Sequence, residues 1–125
     1  MIASDPHLPR AAAIDAYGKG GFRFGDMSHR GSILCLPSGI YGWQPAHPEK
    51  LVPADFDAFV AEADGIEILL VGTGTDLKPL AADIRAALRE KGISADPMST
   101  GAAVRTYNVL LAEDRAVAAA FIAVG

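Results

Sequence analysis

The sequence predicts an α/β fold: an N-terminal β-meander followed by strand-helix-strand units, with a partly parallel sheet covered on both faces by helices. Three observations predict it. Between Ile14 and Trp43, short apolar stretches are separated by glycine and proline turns. From Pro53 onward, stretches with apolar residues at helical spacing alternate with apolar runs of strand length. The last of these runs, Ala116 to Val124, is almost wholly apolar, as a strand in the middle of a covered sheet should be.

Taken in order, residues 1–10 carry two prolines and few apolar side chains, so 1–12 reads as a loose arm, leaving 13–125 as one α/β domain. The segment IDAYGKGGFRF, from Ile14 to Phe24, reads as two short strands joined by a glycine turn. Ser32 to Leu36 is an apolar strand stopped by Pro37-Ser38-Gly39, and Ile40 to Trp43 returns beside it. Pro53 suits the first turn of a helix, where its missing N–H costs nothing, and Phe56, Phe59 and Val60 share one face of that helix up to Gly65. Ile66 to Val71 has the length and composition of a buried parallel strand. A second helix begins near Pro79, carries Leu80, Ile84, Ala87 and Leu88, and stops at Gly92. Ile93 to Met98 is a strand, and Thr100 caps a third helix with Val104, Tyr107 and Leu111 on one face. Crossovers of this length imply right-handed connections between parallel strands.

The totals exclude several function classes. The chain has 125 residues and a formal charge of −4, with its lysines and arginines scattered, so nucleic acid is not expected as a partner. The longest apolar run falls far short of the roughly 20 residues of a membrane-spanning helix. Met1 to Arg10 has no secretory signal pattern, and the lone Cys35 allows no internal disulfide, so a cytoplasmic location is expected. His7, His29 and His47 share no metal-ligand spacing, and Cys35, between Leu34 and Leu36, reads as a buried inert thiol. No metal, cofactor or catalytic set is expected.

One surface stands out. Gly72-Thr73-Gly74 follows a strand and precedes a helix, and Asp96 lies where the ribose-binding acid of a dinucleotide site would stand. Leu77 at the third small position and the delaying Lys78-Pro79 spoil that fingerprint, leaving either a tight turn or a cradle for a smaller anion. The Met98-Ser99-Thr100-Gly101 segment should open at the same sheet edge, with Thr100 at the helix tip and Arg105 a turn further on. The crevice between Gly72–Gly74 and Ser99–Arg105 is therefore a candidate site, with an ordinary helix cap as the competing reading. Asn108 reads as a neutral polar residue or a cap to a loop, and Glu113 and Arg115 as an ion pair holding a turn. Trp43 is either a lid on the core or an exposed partner contact.

The stretch from Met98 to Val124 resembles the small Mth-type domain family that includes mitochondrial NADH dehydrogenase (complex I) assembly factor 3 and the adipogenesis-associated Mth-domain protein. The resemblance rests on Thr100, Ala103, Arg105-Thr106-Tyr107-Asn108, Glu113 and Arg115, supported by Ile66 to Gly74, Gly39 to Trp43 and Ser32 to Pro37. It implies a three-layer α/β fold with a central mixed sheet flanked by helices, in agreement with the periodicity. It also implies an assembly-factor-like role without established catalytic residues. No mitochondrial leader is read at the start, which suits a bacterial member, and Val104 stands where many members carry cysteine. The resulting expectation is a non-catalytic domain that binds an unidentified protein, touching the periphery of a membrane complex. The alternative is a small-molecule or anion-binding protein or enzyme that uses the crevice.

Overall fold

Backbone pairing divides the strands into two sheets in the computed structural model, which describes residues 6–125. β1 (Ala16–Gly18), β2 (Gly21–Phe24) and β3 (Met27–Arg30) form an antiparallel three-stranded sheet. β4 (Ile33–Leu36), β5 (Gly39–Gly42), β6 (Ile68–Gly72), β7 (Ser94–Met98) and β8 (Val117–Phe121) form a five-stranded sheet in the order β5-β4-β8-β6-β7. β6 runs parallel to both β7 and β8, whereas β4 is antiparallel to β5 and β8, so the sheet is mixed. The expected meander is thus split, its last hairpin belonging to the larger sheet. β3 has no apolar alternation and was not anticipated. It forms because Gly25 and Asp26 both take positive φ, 53° and 65°, the backbone of a tight hairpin turn.

The helices are α1 (Asp57–Ala61), α2 (Ala82–Arg89) and α3 (Thr100–Ala112). The helix expected after Pro53 is broken into 3-10 turns, Pro53–Phe56 and Ala63–Gly65, on either side of the single turn of α1. α2 starts later than Pro79, although Leu80 is already buried. The cap of α3 is Ser99, whose hydroxyl accepts the Ala102 N–H at 3.3 Å; Thr100 lies one position inside, fully buried.

Alternation along β8 assigns the two cores. Ala118 and Ala120 face Phe56, Phe59, Ile84 and Leu88 from the α1–α2 side. Val117, Ala119 and Phe121 face Phe22 and Phe24 of the small sheet and Ala103, Val104 and Tyr107 of α3. The result is three layers: α1 and α2, the five-stranded sheet, then α3 with the small sheet.

Of the stretch read as a loose arm, residues 1–5 lie outside the described residues. His7 and Leu8 donate to the Ile40 carbonyl at 2.8 and 3.3 Å, and the Leu8 carbonyl accepts the Ile40 N–H at 2.9 Å. Leu8 also packs against the second core, which gives this segment an apolar anchor.

Candidate functional site

The parallel strands β6, β7 and β8 end together, with Gly72 opposite both Met98 and Phe121. In open α/β sheets this edge is where ligands usually settle. Here the chain fills it with its own groups. Thr100, at the start of α3, donates its N–H to the Gly74 carbonyl at 2.8 Å and accepts the Gly74 N–H on Oγ1 at 3.0 Å. The same hydroxyl donates to the Ile122 carbonyl at 2.7 Å. The Thr73 N–H goes to the Met98 carbonyl at 2.8 Å, and its hydroxyl donates to the Asp76 carbonyl at 2.7 Å while accepting the Lys78 N–H at 2.9 Å. A Cβ on Gly72 would come within 3.0 Å of the Thr100 Cα, so glycine is required by close packing of strand against helix. The structure therefore brings Gly72, Thr73, Gly74 and Thr100 together, with the turn amides of Thr73 and Gly74 spent on internal acceptors.

The Arg105 side chain is exposed and makes no hydrogen bond or ion pair with the described residues. Its Nη1 lies 3.6 Å from where a Gly101 Cβ would be, beside the Tyr17 hydroxyl that crowds the same spot. The guanidinium thus lies on the flank of α3 next to β1. Asn108 is a bracket: its Oδ1 accepts the Ile14 N–H and its Nδ2 donates to the Ile14 carbonyl, both at 2.9 Å. This bidentate clamp ties α3 to the chain entering β1.

Glu113 and Arg115 lie at the far end of the 13-residue α3, about 20 Å from Thr100 along the axis. Both are exposed, and no ion pair joins them; the turn is held by backbone, with the Arg115 N–H on the Leu110 carbonyl at 3.0 Å and Asp114 at φ 60°. The expected salt bridge is therefore replaced by a left-handed turn residue. Trp43 sits apart from all of these, beyond β5. Its Nε1 donates to the Asp55 carbonyl at 3.0 Å and its ring meets Phe56 edge-on at 5.6 Å, closing the first core.

Cys35 is fully buried beside Tyr107. Burial pushes its thiol pKa far up, an effect only partly offset by the Tyr107 hydrogen bond, so no thiolate nucleophile forms there.

The sequence did not foresee two groupings. His7 and His29, separated along the chain, have ring centroids 4.5 Å apart and lie over Gly42. Lys19, Arg23 and Arg30 border a shallow cavity of about 410 Å³ on the small sheet. The alternation in GFRF and MSHR carries the signal for the second grouping, but only once β3 is known to pair with β2.

A family described as proteins of unknown function, DUF498/DUF598, matches residues 14–122. An uncharacterised protein of Rhodobacter capsulatus is 36% identical over 122 residues, covering 98% of this chain and 93% of its own length. The NADH dehydrogenase (ubiquinone) 1 alpha subcomplex assembly factor 3 of Rattus norvegicus is 31% identical over 115 residues, or 92% of this chain. The match spans only 62% of that assembly factor. Among solved structures, an outer membrane protein from Bartonella henselae is 60% identical with a TM-score of 0.92, covering 95% of this chain and 100% of that one. A Mth938-like domain from Bordetella pertussis is 25% identical with a TM-score of 0.79, covering 98% and 91% respectively.

Proposed function

This chain belongs to the DUF498/DUF598 family, and from that premise we propose that it is a non-catalytic protein-binding domain that assists assembly of a membrane-bound respiratory complex. The observation that carries the reading is the 31% identity to a complex I assembly factor over 92% of the chain. The chemistry of the molecule is consistent with it. Reactive groups that an enzyme would expose are committed to the fold: Cys35 and Tyr107 are buried, and the Thr73 and Gly74 amides are paired internally. Arg105, by contrast, is exposed and unpaired among the described residues, as a partner contact would be. Among the described residues no helix is long and apolar enough to cross a membrane. A cytoplasmic domain touching the complex from its periphery fits this reading, although one close structural relative is described as an outer membrane protein.

Deletion of the gene in a host with NADH:ubiquinone oxidoreductase tests the proposal. Native gels of the membrane fraction should show partly assembled subcomplexes in place of the full enzyme, restored by the parent chain. Arg105→Ala should restore less while its stability stays within about 0.5 kcal/mol of the parent, as for an exposed substitution. Normal assembly in the deletion strain would sink the reading.

A further inference from the structure

The small sheet has one face in the core and one facing out, and its register sorts the side chains. Ala16, Arg23 and Ser28 stand opposite one another across the three strands, as do Tyr17, Phe22 and His29. Phe22 and Phe24 are buried in the second core, so the Tyr17–Phe22–His29 side is the inner one. Strand alternation then puts Arg23, Ser28 and Arg30 on the outer face with Gly18 and Gly21. Arg23, Ser28 and Arg30 are all exposed there.

That face is a cradle of about 410 Å³. Its floor is bare for a packing reason: a Cβ on Gly21 would lie 2.5 Å from the His29 carbonyl oxygen. Lys19 stands at its end, on a turn where Lys19 and Gly20 take φ of 53° and 80°. No carboxylate lines the cradle, and neither Arg23, Arg30 nor Lys19 forms an ion pair among the described residues. A chain with a net charge of −4 thus gathers three free cations around a glycine floor. At physiological salt the Debye length is about 8 Å, so the local cations outweigh distant acids.

We propose that this outer face docks an extended acidic segment of a partner protein, with carboxylates at alternate positions held by Arg23 and Arg30. The proposal rests on the protein-binding reading above and names the partner's chemistry. Arg23 and Arg30 are diagonal neighbours on adjacent antiparallel strands, where side-chain origins lie about 7 Å apart. Alternate residues of an extended peptide are also separated by about 7 Å and point to the same side. Two guanidinium forks at that spacing match two carboxylates in bidentate fashion, and Lys19 extends the row. Tyr17, Phe22 and His29 also border the cavity, but strand alternation turns their side chains to the inner side. The outer face therefore offers no aromatic ring on which bases could stack and no large apolar side chain to enter a lipid surface, which sets nucleic acid and membranes aside.

Fluorescence anisotropy of a labelled (Glu-Ser)5 peptide against the full chain tests this, with (Gln-Ser)5 and phosphatidylglycerol vesicles as separate arms. The acidic peptide should bind, weakening steeply with added salt, while the glutamine peptide should not. Arg23→Glu with Arg30→Glu should lower the affinity about tenfold or more, and the milder Arg23→Gln with Arg30→Gln should do so by less; circular dichroism should show both folded. Unchanged peptide binding in the variants, or vesicle binding in place of peptide binding, overturns the proposal. The deletion strain separates the two readings. A charge-reversed variant that fully restores assembly overturns the docking face and leaves the assembly role standing. A parent that binds the peptide and restores nothing overturns the assembly role alone.

Discussion

The carboxyl edge of the parallel strands and the outer face of the small sheet are both built around glycines, yet their polar groups face opposite ways. At the edge, Gly72 lets the strand approach Thr100 closely and Gly74 turns the chain at a φ of 101°, so that donors and acceptors satisfy one another. On the outer face, Gly18 and Gly21 clear a floor whose bordering cations have no partner among the described residues. A glycine turn between strand and helix thus marks congestion here, and the capacity for binding lies where glycine leaves charge uncovered.

The largest expected effect comes from breaking the closed edge. Thr100→Val keeps the shape but strands the Gly74 N–H and the Ile122 carbonyl in a buried site. Each unsatisfied group costs about 1–3 kcal/mol, so a loss of about 2–4 kcal/mol is expected in urea unfolding. A loss below about 0.5 kcal/mol would mean the edge is wetter and more open than described, and would revive it as a ligand crevice.

Asn108→Ala comes next. It removes both hydrogen bonds to Ile14 at a partly buried position and should cost about 1–2 kcal/mol. The Ile14 and Asp15 amides should exchange with solvent faster than those of β8. Equal protection would show that the small sheet is held by its apolar face alone, through Phe22 and Phe24.

The smallest effect concerns the histidine pair beside the small sheet. Burial, and secondarily the neighbouring His7, lowers the His29 pKa, against a raising hydrogen bond at Ser32. Since the folded value lies below the unfolded one of about 6.5, the unfolded chain takes up the proton first as pH falls. Stability should therefore be full above about pH 6.5 and decline as pH drops through the folded pKa. The melting temperature of His29→Gln should fall less steeply between pH 7 and pH 5 than that of the parent. Identical slopes would leave the pair without a titrating role.

Much of the layer order was legible because periodicity reports burial directly. Ile66 to Val71, Ile93 to Met98 and Ala116 to Val124 read as strands; β7 and β8 fall within the last two, and β6 overlaps the first but runs one residue further, to Gly72. β3 was not legible, since MSHR makes its pairing through two left-handed turn residues and buries no apolar row. The candidate surface suffered from a different gap. Gly72, Thr73, Gly74 and Thr100 do meet, but one-dimensional text does not say whether amides face solvent or a buried hydroxyl. Glu113 and Arg115 are close in sequence, yet the chain turns between them with Asp114 in the left-handed region and leaves both exposed. The cationic row needed a register that only the folded backbone supplies.

The place of β8 carries one more consequence, for the order in which the chain is made. It is late in the sequence, yet it lies between β4 and β6 in the five-stranded sheet. Until residues 117–121 leave the ribosome, the β4–β5 hairpin and the β6–α2–β7 unit share no strand, and each exposes an edge. Their joining waits on two late, long-range pairings made by β8, Leu34 with Ala120 and Ile68 with Val117, and such non-local closures are slow steps. A nascent chain stalled before β8 would hold two half-sheets with open edges, a form that invites pairing with other strands.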